Sequence, residues 1–235
     1  MLLSLLVTPM KSNAQTNPTA EFDEISITYK LSIQSKSYGN ATLGKLTNTL
    51  SKTDNGFSAK SVTKTQGIAA ILIGSNEQQS CDFIMENGLA IPQRYSGGTL
   101  KKDQYDVAFD WQKKTITFEG GESLDMPKGY VLDICSMPFA FALQQGKKLD
   151  QQATYVVDGK KKRVRGYTQT SSEEVIIDTP LGKKKTIKIV LQSELRPDRI
   201  LTLWLSVEDQ YIPVQIEEKR KSRTTTMVVS AMNIE

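Results

Sequence analysis

The residue types that most often carry catalysis are sparse in this chain of 235 residues. It contains no histidine, which removes the commonest general base, the histidine-activated nucleophiles and histidine-based metal sites. Its two cysteines, Cys81 and Cys135, lie far apart and form no CxxC pattern of a zinc or redox site. The glycine-rich stretches lack the strand–loop–helix context of a phosphate-binding loop. These patterns predict no catalytic residue, no metal site and no cofactor.

Acid–base chemistry by carboxylates needs only two Asp or Glu side chains at a set separation. Asp103, Asp106 and Asp110 flank an aromatic strand, so a carboxylate-dependent glycan hydrolase is kept as an alternative. The plainer interpretation is that Asp110 ends its strand and starts a turn by bonding the backbone two residues on, with Trp111 packed beside it. We therefore predict that FDWQKKTITFEGG (109–121) is scaffold and that the protein is not an enzyme.

Three basic runs are the next candidates: KKKRVR (160–165), KKK (183–185) and KRKSR (219–223). A face lined by them could meet phosphate or anionic lipid headgroups. Each run, however, follows or occupies a predicted turn, where lysines also protect exposed strand edges from pairing. No aromatic residues interleave with them as in a single-strand binder. We interpret the runs as solvated edges and predict no nucleic-acid partner.

The N-terminal segment differs from the rest of the chain. MLLSLLVTPM is apolar, and SNA (12–14) has the small-x-small form of a signal peptidase site. We predict a cleavable signal peptide over residues 1–14 and a periplasmic mature protein that begins at Gln15. No stretch reaches the roughly 20 apolar residues that a spanning helix needs, so the protein is not expected to cross the membrane. In an oxidising compartment Cys81 and Cys135 should form a disulfide, with two buried free thiols as the alternative.

The remainder of the chain alternates short runs of period two with turn signals, which is typical of half-buried strands. ISITYKLSI (25–33) places its large apolar residues on one face, and Asn-Gly, Asp-Gly and Gly97-Gly98 supply hairpin turns. Pro213 lies inside such a run, which indicates an edge or a bulge. About twelve strands predict a mainly β fold. We expect one domain over residues 22–235, a large curved antiparallel meander sheet that forms a half-barrel or open barrel.

Two segments break the β pattern. GIAAILIG (67–74) is apolar on every face and is assigned to one or two buried helical turns. CSMPFAFALQQG (135–146) is better marked as a helix, with Ser136 as cap and Pro138 in the first turn. This helix is apolar until Gln144. We therefore expect one or two short helices packed on the concave side of the sheet.

Several landmarks together resemble one known family. They are ISITYKL, ENGLAIPQRY, FDW before a strand, a helix after Asp133, DTPLGKKKTIKI and LWLSVEDQYIPVQIE. Across about residues 22–235 the chain resembles the Gram-negative envelope family known as domain of unknown function three-one-zero-eight. The TPLG turn and the segment 204–214 match best. The resemblance implies a large curved antiparallel sheet of the kind seen in periplasmic lipoprotein carriers, and it implies no catalytic residues.

The expected function is non-enzymatic binding of an apolar ligand, or of an envelope protein partner, in the concave side of the sheet. An acyl chain is the preferred ligand. The predicted ligand-lining residues are Met137, Phe139, Phe141 and Leu143. A concavity filled completely by the helix is the competing outcome. The alternatives are a structural or assembly factor of the envelope without a small ligand, and the glycan hydrolase.

Overall fold

A single β-sheet organises the described part of the chain. The structure is a computed structural model and describes residues 22–36, 39–66, 76–99, 103–145 and 153–235. The predicted signal peptide (1–14) and the apolar segment 67–74 lie outside the described residues. Most described residues are in strands, as the alternation of apolar and polar side chains predicts.

The sheet has fifteen strands, which are numbered in chain order. They are β1 (Glu24–Ser35), β2 (Gly39–Thr53), β3 (Gly56–Thr65), β4 (Glu77–Glu86), β5 (Leu89–Thr99), β6 (Tyr105–Asp110), β7 (Thr115–Phe118), β8 (Ser123–Asp125), β9 (Tyr130–Asp133), β10 (Thr154–Asp158), β11 (Arg163–Thr179), β12 (Gly182–Ser193), β13 (Arg199–Ser206), β14 (Ile212–Arg220) and β15 (Arg223–Ile234). The described residues also form one α-helix, α1 (Met137–Leu143), and a 3-10 turn at Gly159–Lys161. None of the helices in these ranges has the length and apolar character needed to cross a membrane.

The strand order is a meander with the two chain ends in its middle. Across the sheet it runs β8-β7-β6-β5-β4-β3-β2-β1-β15-β14-β13-β12-β11-β10-β9. Strand β1 pairs with both β2 and β15. The other described pairs are antiparallel, as predicted, and β9 and β10 are the exception because they pair in parallel. The chain between these two strands carries α1, and parallel neighbours need a crossover of this kind.

The sheet curls until its two halves meet around α1. The helix contacts β14 in one half and β5 in the other. The hydroxyl of Tyr130 in β9 accepts a hydrogen bond from the Ala90 N–H of β5 (3.2 Å). Gly159 lies against the side chains of Tyr105 and Val107 in β6. Side-chain contacts thus bring the halves together, while the edge strands β8 and β9 do not pair with each other. The architecture is the open barrel that was predicted.

One face of the sheet carries the core and α1, and we call it the inner face. On β1, β13 and β14 the buried large apolar side chains recur at every second position. Every residue of α1 from Met137 to Ala142 is buried as well. The core residues of these three strands are Ile25, Ile27, Tyr29, Leu201, Leu203, Leu205, Ile212, Val214 and Ile216.

Two irregularities shape individual strands. Pro213 lies opposite a register shift between Trp204 and Leu205, so the predicted bulge is confirmed. The predicted turn at Gly97-Gly98 is wrong, because both glycines lie inside β5. Gly98 has φ +144°, and a Cβ there would come within 2.8 Å of the Gln104 backbone. Glycine is needed because the chain entering β6 passes close to β5.

The predicted disulfide is confirmed. Cys81 of β4 is bonded to Cys135, in the turn before α1, with the two Cα atoms 6.0 Å apart and a sequence separation of 54. Both cysteines are buried. The bond ties the start of the helix to the first half of the sheet.

Removing this disulfide should destabilise the fold. The double variant Cys81→Ala/Cys135→Ala should lose about 4 kcal/mol of unfolding free energy, because the loop that the disulfide closes no longer restricts the unfolded chain. Urea unfolding followed by tryptophan fluorescence measures this loss. Reductant should destabilise the wild type and leave the double variant unchanged. Equal stability of the two proteins without reductant would contradict the prediction.

Candidate functional site

Helix α1 begins from a buried turn organised by Asp133. The Asp133 carboxylate accepts hydrogen bonds from the backbone N–H groups of Cys135 (2.8 Å) and Ser136 (2.7 Å) and from the Ser136 hydroxyl (2.7 Å). Burial raises the pKa of Asp133 from 3.8 to about 6, although the hydrogen bonds act to lower it. Ser136 is the N-cap residue, but its side chain does not cap the helix as predicted, because its hydroxyl is engaged by Asp133.

Cys81, Asp133 and Cys135 bring three atoms of metal-binding type within 4.8 Å of one another. Both sulfur atoms are joined in the disulfide. A cysteine binds a metal ion as the thiolate, which a disulfide does not offer. The cluster is therefore explained by the disulfide and by the turn that Asp133 holds.

The four predicted ligand-lining residues all lie on α1. Phe139 and Phe141 are each only 1% exposed, and Met137 is buried with them. Leu143 is half-buried at the end of the helix. These helix side chains are therefore packed against the sheet and leave little of their own surface exposed. A ligand can therefore contact Phe139 and Phe141 only if α1 shifts.

Local interactions within α1 are weak. The helix has seven residues, no side-chain cap, no acidic residue in its first turn and no basic residue in its last. A helix this short is not stable in water by itself, so packing and its anchored start must hold it. The Asp133 turn and the disulfide anchor the N-terminal end. At the other end, the side-chain amide of Gln144 donates to the Tyr130 hydroxyl (2.6 Å).

The stretch around Trp111 is a turn that Asp110 starts, as predicted. Asp110 accepts hydrogen bonds from the backbone N–H groups of Gln112 (3.1 Å) and Lys113 (2.8 Å). The bond from Lys113 lowers the pKa of Asp110 most. Trp111 is half-buried against the core, and its indole N–H donates to the Pro92 carbonyl (2.7 Å).

Asp106 and Asp110, two of the three aspartates proposed for carboxylate chemistry, lie too far apart to act as a pair. They are four residues apart on β6, which corresponds to roughly 13 Å along a strand. Glycosidase carboxylates are separated by about 5 to 9.5 Å. Asp106 is instead paired with Arg94 (2.9 Å), and Asp103 precedes the strand with φ +57°.

A polar groove of about 520 Å³ runs over the outer face of β3 to β6. Asp106 lines it together with amide and hydroxyl side chains, and the hydroxyls of Ser80 and Ser96 are hydrogen-bonded across it (2.9 Å). Its polar lining distinguishes it from the apolar site that was predicted.

A second cavity, of about 150 Å³, is bounded by arginines from separate parts of the chain. We call it the arginine pocket. Its lining comes from the start of β11, the end of β12, the following loop, the start of β13 and the end of β14. The lining residues are Arg163, Val164, Arg165, Gly166, Ser193, Leu195, Arg196, Arg199 and Arg220.

The arginine pocket lies at the rim of the inner face. Along β13 the inner positions are Arg199, Leu201 and Leu203, and both leucines belong to the core. Along β11, Arg165 precedes the buried Tyr167 by two positions, so the two side chains share a face. The apolar interior therefore ends in arginines at this edge.

Acidic partners neutralise part of this charge. Asp158 is 2.5 Å from Arg165 and 3.6 Å from Arg163, and Glu218 pairs with Arg199. Burial, and then repulsion by Arg199, lower the pKa of the Arg165 guanidinium. The arginines are thus crowded and partly dehydrated.

Arg220 is the exception to this pairing. It is half-buried and forms no ion pair with any residue that the structure describes. It lies directly opposite Arg199 across the β13–β14 ladder. Like charges in directly opposed positions destabilise a sheet. The Nε atoms of Arg163 and Arg199 are also buried without a hydrogen-bond partner.

Sequence reasoning missed this pocket because it treated the basic runs as solvated edges. That interpretation suits Lys160 and Lys161, which are exposed. It fails for Arg163, Arg165 and Arg220, which are half-buried on the inner face. A signal was present, since each arginine continues the spacing of two set by the core residues of its strand.

Comparison with known proteins agrees with this architecture. Residues 26–228 match the protein family of unknown function DUF3108. The chain belongs to this family. The resemblance seen in the sequence is thereby confirmed, and the match spans most of the sheet. No curated protein matches the chain.

Solved structures also match the chain, to different degrees. The first is a beta-barrel-like protein of the domain of unknown function DUF1849 from Brucella abortus, at TM-score 0.60 and 11% identity, covering 92% of this chain and 99% of that one. The second is a putative outer membrane lipoprotein-sorting protein domain from Vibrio parahaemolyticus, at TM-score 0.33 and 8% identity, covering 90% and 85%. The first likeness supports the fold alone, and the second is too weak to support an argument.

The buried carboxyl of Asp133 should make stability depend on pH. Because its folded pKa of about 6 lies above 3.8, the folded state binds more protons between these values. Its contribution is therefore fully present below about pH 4 and is lost as the pH rises through 6. Relative to Asp133→Asn, the wild type should lose up to about 3 kcal/mol of unfolding free energy from pH 4 to pH 7.

Chemical unfolding at a series of pH values measures this difference. Asp110→Asn is the matched control, because the pKa of Asp110 is lowered and its effect has the opposite sign. Parallel pH profiles for the wild type and Asp133→Asn would contradict the assignment.

Trp111 should contribute to stability through both its ring and its N–H group. Trp111→Phe should cost about 1 kcal/mol of unfolding free energy, the usual value for one hydrogen bond. Trp111→Ala should cost about 2 to 3 kcal/mol, less than the ~3–5 of a fully buried aromatic ring, because Trp111 is only half-buried. Thermal and urea unfolding compare the two variants. If Trp111→Ala has the same unfolding free energy as the wild type, the ring does not pack on the core.

Proposed function

We propose that this protein is a non-enzymatic binding protein of the cell envelope that holds an apolar ligand inside its open barrel. An acyl chain is the preferred ligand. The observation that carries the proposal is the enclosed helix α1, an apolar element of seven residues placed between β5 and β14. Its surroundings are apolar, as an acyl chain requires.

Binding proceeds by displacement of the C-terminal half of α1. The helix is anchored at its start by the Asp133 turn and the disulfide, and it has little stability of its own. An acyl chain that takes the place of Phe141 and Leu143 covers the same apolar surface of the sheet. The cost of exposing the sheet, about 25 cal/mol per Å² of apolar area, is then largely avoided. The disulfide keeps α1 attached during the exchange.

The compartment is part of the proposal. A disulfide between buried cysteines is typical of exported proteins, because the cytosol keeps thiols reduced. The predicted signal peptide over residues 1–14 agrees with a periplasmic location. An envelope protein partner, or an assembly role without a small ligand, remains as the competing function.

A fluorescent fatty-acid probe tests the proposal on refolded, delipidated protein. It should bind the wild type saturably, at one site. Phe141→Ala should strengthen binding because it leaves a cavity beside the helix. Phe141→Trp should weaken it because the added volume competes for the same space.

Leu191→Ala is the matched control for these variants. Leu191 is a fully buried core residue on β12, two strands away from β14. This variant should be destabilised and yet bind the probe as the wild type does. If neither the wild type nor Phe141→Ala binds the probe saturably, the carrier function is overturned and the assembly role is left.

A further inference from the structure

We infer that the arginine pocket binds a phosphate group, and that this phosphate is the head of an amphiphile whose apolar part enters the barrel. The inference has two halves. The amphiphile half, that an apolar part of the ligand enters the barrel, rests on the proposed function, whereas the phosphate half, that the pocket binds a phosphate group, depends only on the arginine pocket.

The chemistry of the pocket suits a tetrahedral oxyanion. Guanidinium groups present several N–H donors in a plane and bind phosphate oxygens in pairs. Arg163, Arg165, Arg199 and Arg220 surround about 150 Å³, which corresponds to roughly five water molecules. A volume of this size admits one phosphate group and is too small for a folded peptide. The buried hydroxyl side chain of Ser193 adds a neutral donor to the lining.

An anion in this position would resolve the unfavourable features of the pocket. It would lie between Arg199 and Arg220, whose positive charges oppose each other across the ladder. It would also offer acceptors within hydrogen-bond distance to the Nε atoms of Arg163 and Arg199, which are buried without a hydrogen-bond partner. The Asp158 carboxylate lies 3.6 Å from Arg163 Nε, which is too far for a hydrogen bond.

Those carboxylates are already engaged or lie at the margin. Asp158 and Glu218 are in ion pairs with pocket arginines. The carboxylate of Glu194 lies against Gly166. Arg220 therefore keeps a guanidinium available to an external anion.

The position of the pocket indicates an amphiphile instead of a free anion. Arg199 is followed on the inner face of β13 by Leu201 and Leu203, so a molecule held at its head can continue onto apolar surface. Leu195, which lines the pocket, is 83% exposed. An exposed leucine beside a cationic pocket matches the junction between a headgroup and its chain.

The test measures dissociation constants by calorimetry on delipidated full-length mature protein. Three probes separate the two halves of the inference: dodecyl phosphate below its micellar concentration, dodecanol and inorganic phosphate. Dodecyl phosphate should bind more tightly than either of the others. Arg220→Gln should weaken dodecyl phosphate and inorganic phosphate about tenfold or more, the loss expected for a charge-assisted hydrogen bond, and leave dodecanol unchanged.

Arg94→Gln is the matched control, since it removes the same charge from the outer face, where Arg94 pairs with Asp106. It should change none of the three constants by more than about twofold. Equal weakening by Arg94→Gln and Arg220→Gln would overturn the inference, because general charge attraction would then account for binding. If Arg220→Gln does not fold, Arg220→Lys replaces it. This variant keeps the charge and loses the paired N–H donors, so it should still weaken dodecyl phosphate and inorganic phosphate, and unchanged binding of both would overturn the inference.

The remaining outcomes distinguish this inference from the proposed function. Inorganic phosphate that binds as tightly as dodecyl phosphate would overturn the amphiphile half and establish a site for a soluble phosphate. Phosphate binding that depends on Arg220, without dodecanol binding, would support the pocket and contradict the apolar site. Dodecanol binding without any phosphate binding would support the apolar site and contradict the arginine pocket as a phosphate site.

Discussion

A sheet that carries large apolar side chains along one whole face must cover that face, and the described part of this chain has one helix of seven residues with which to do so. The sheet therefore curls, and each half covers the other with α1 between them. The strand order makes this possible. Because β1 and β15 pair, the two halves form one uninterrupted ladder of fifteen strands that is long enough to bend around the helix.

Enclosing the helix creates the next requirement, because the turn that leads into it is buried with its backbone N–H groups. Buried N–H groups need acceptors. Asp133 supplies them to Cys135 and Ser136, and burial of this carboxyl raises its pKa. The disulfide fixes the same turn to β4. The anchoring is therefore concentrated at one end of α1, and the packing of aromatic side chains holds the rest.

The sequence allowed the strands, the curved sheet, the disulfide and the Asp110 turn to be predicted, since each depends on neighbours in the chain or on a count of two cysteines. It did not reveal the parallel pair β9–β10. The alternation of apolar and polar residues shows which face of the sheet a side chain lies on, but not which strand pairs with which. The predicted turn at Gly97-Gly98 was wrong because glycine is also required where another part of the chain passes close to a strand, and not only in turns. The arginine pocket depends on residues 163, 199 and 220 meeting in space. The alternating pattern of each strand places its arginine on the inner face. The local sequence does not show that arginines from different strands lie close together.

Along β13 the inner face changes from apolar to cationic. The stability of the fold does not explain this change. From Leu203 to Leu201 to Arg199, the same face passes from core to half-buried cation. Dehydrating a guanidinium is costly, and placing Arg220 opposite Arg199 adds repulsion. An apolar or acidic residue at either position would relieve both effects, and positions that break a local rule in this way tend to be functional. An interior that accepts a chain and a rim that attracts an anion together match the two ends of one amphiphilic molecule.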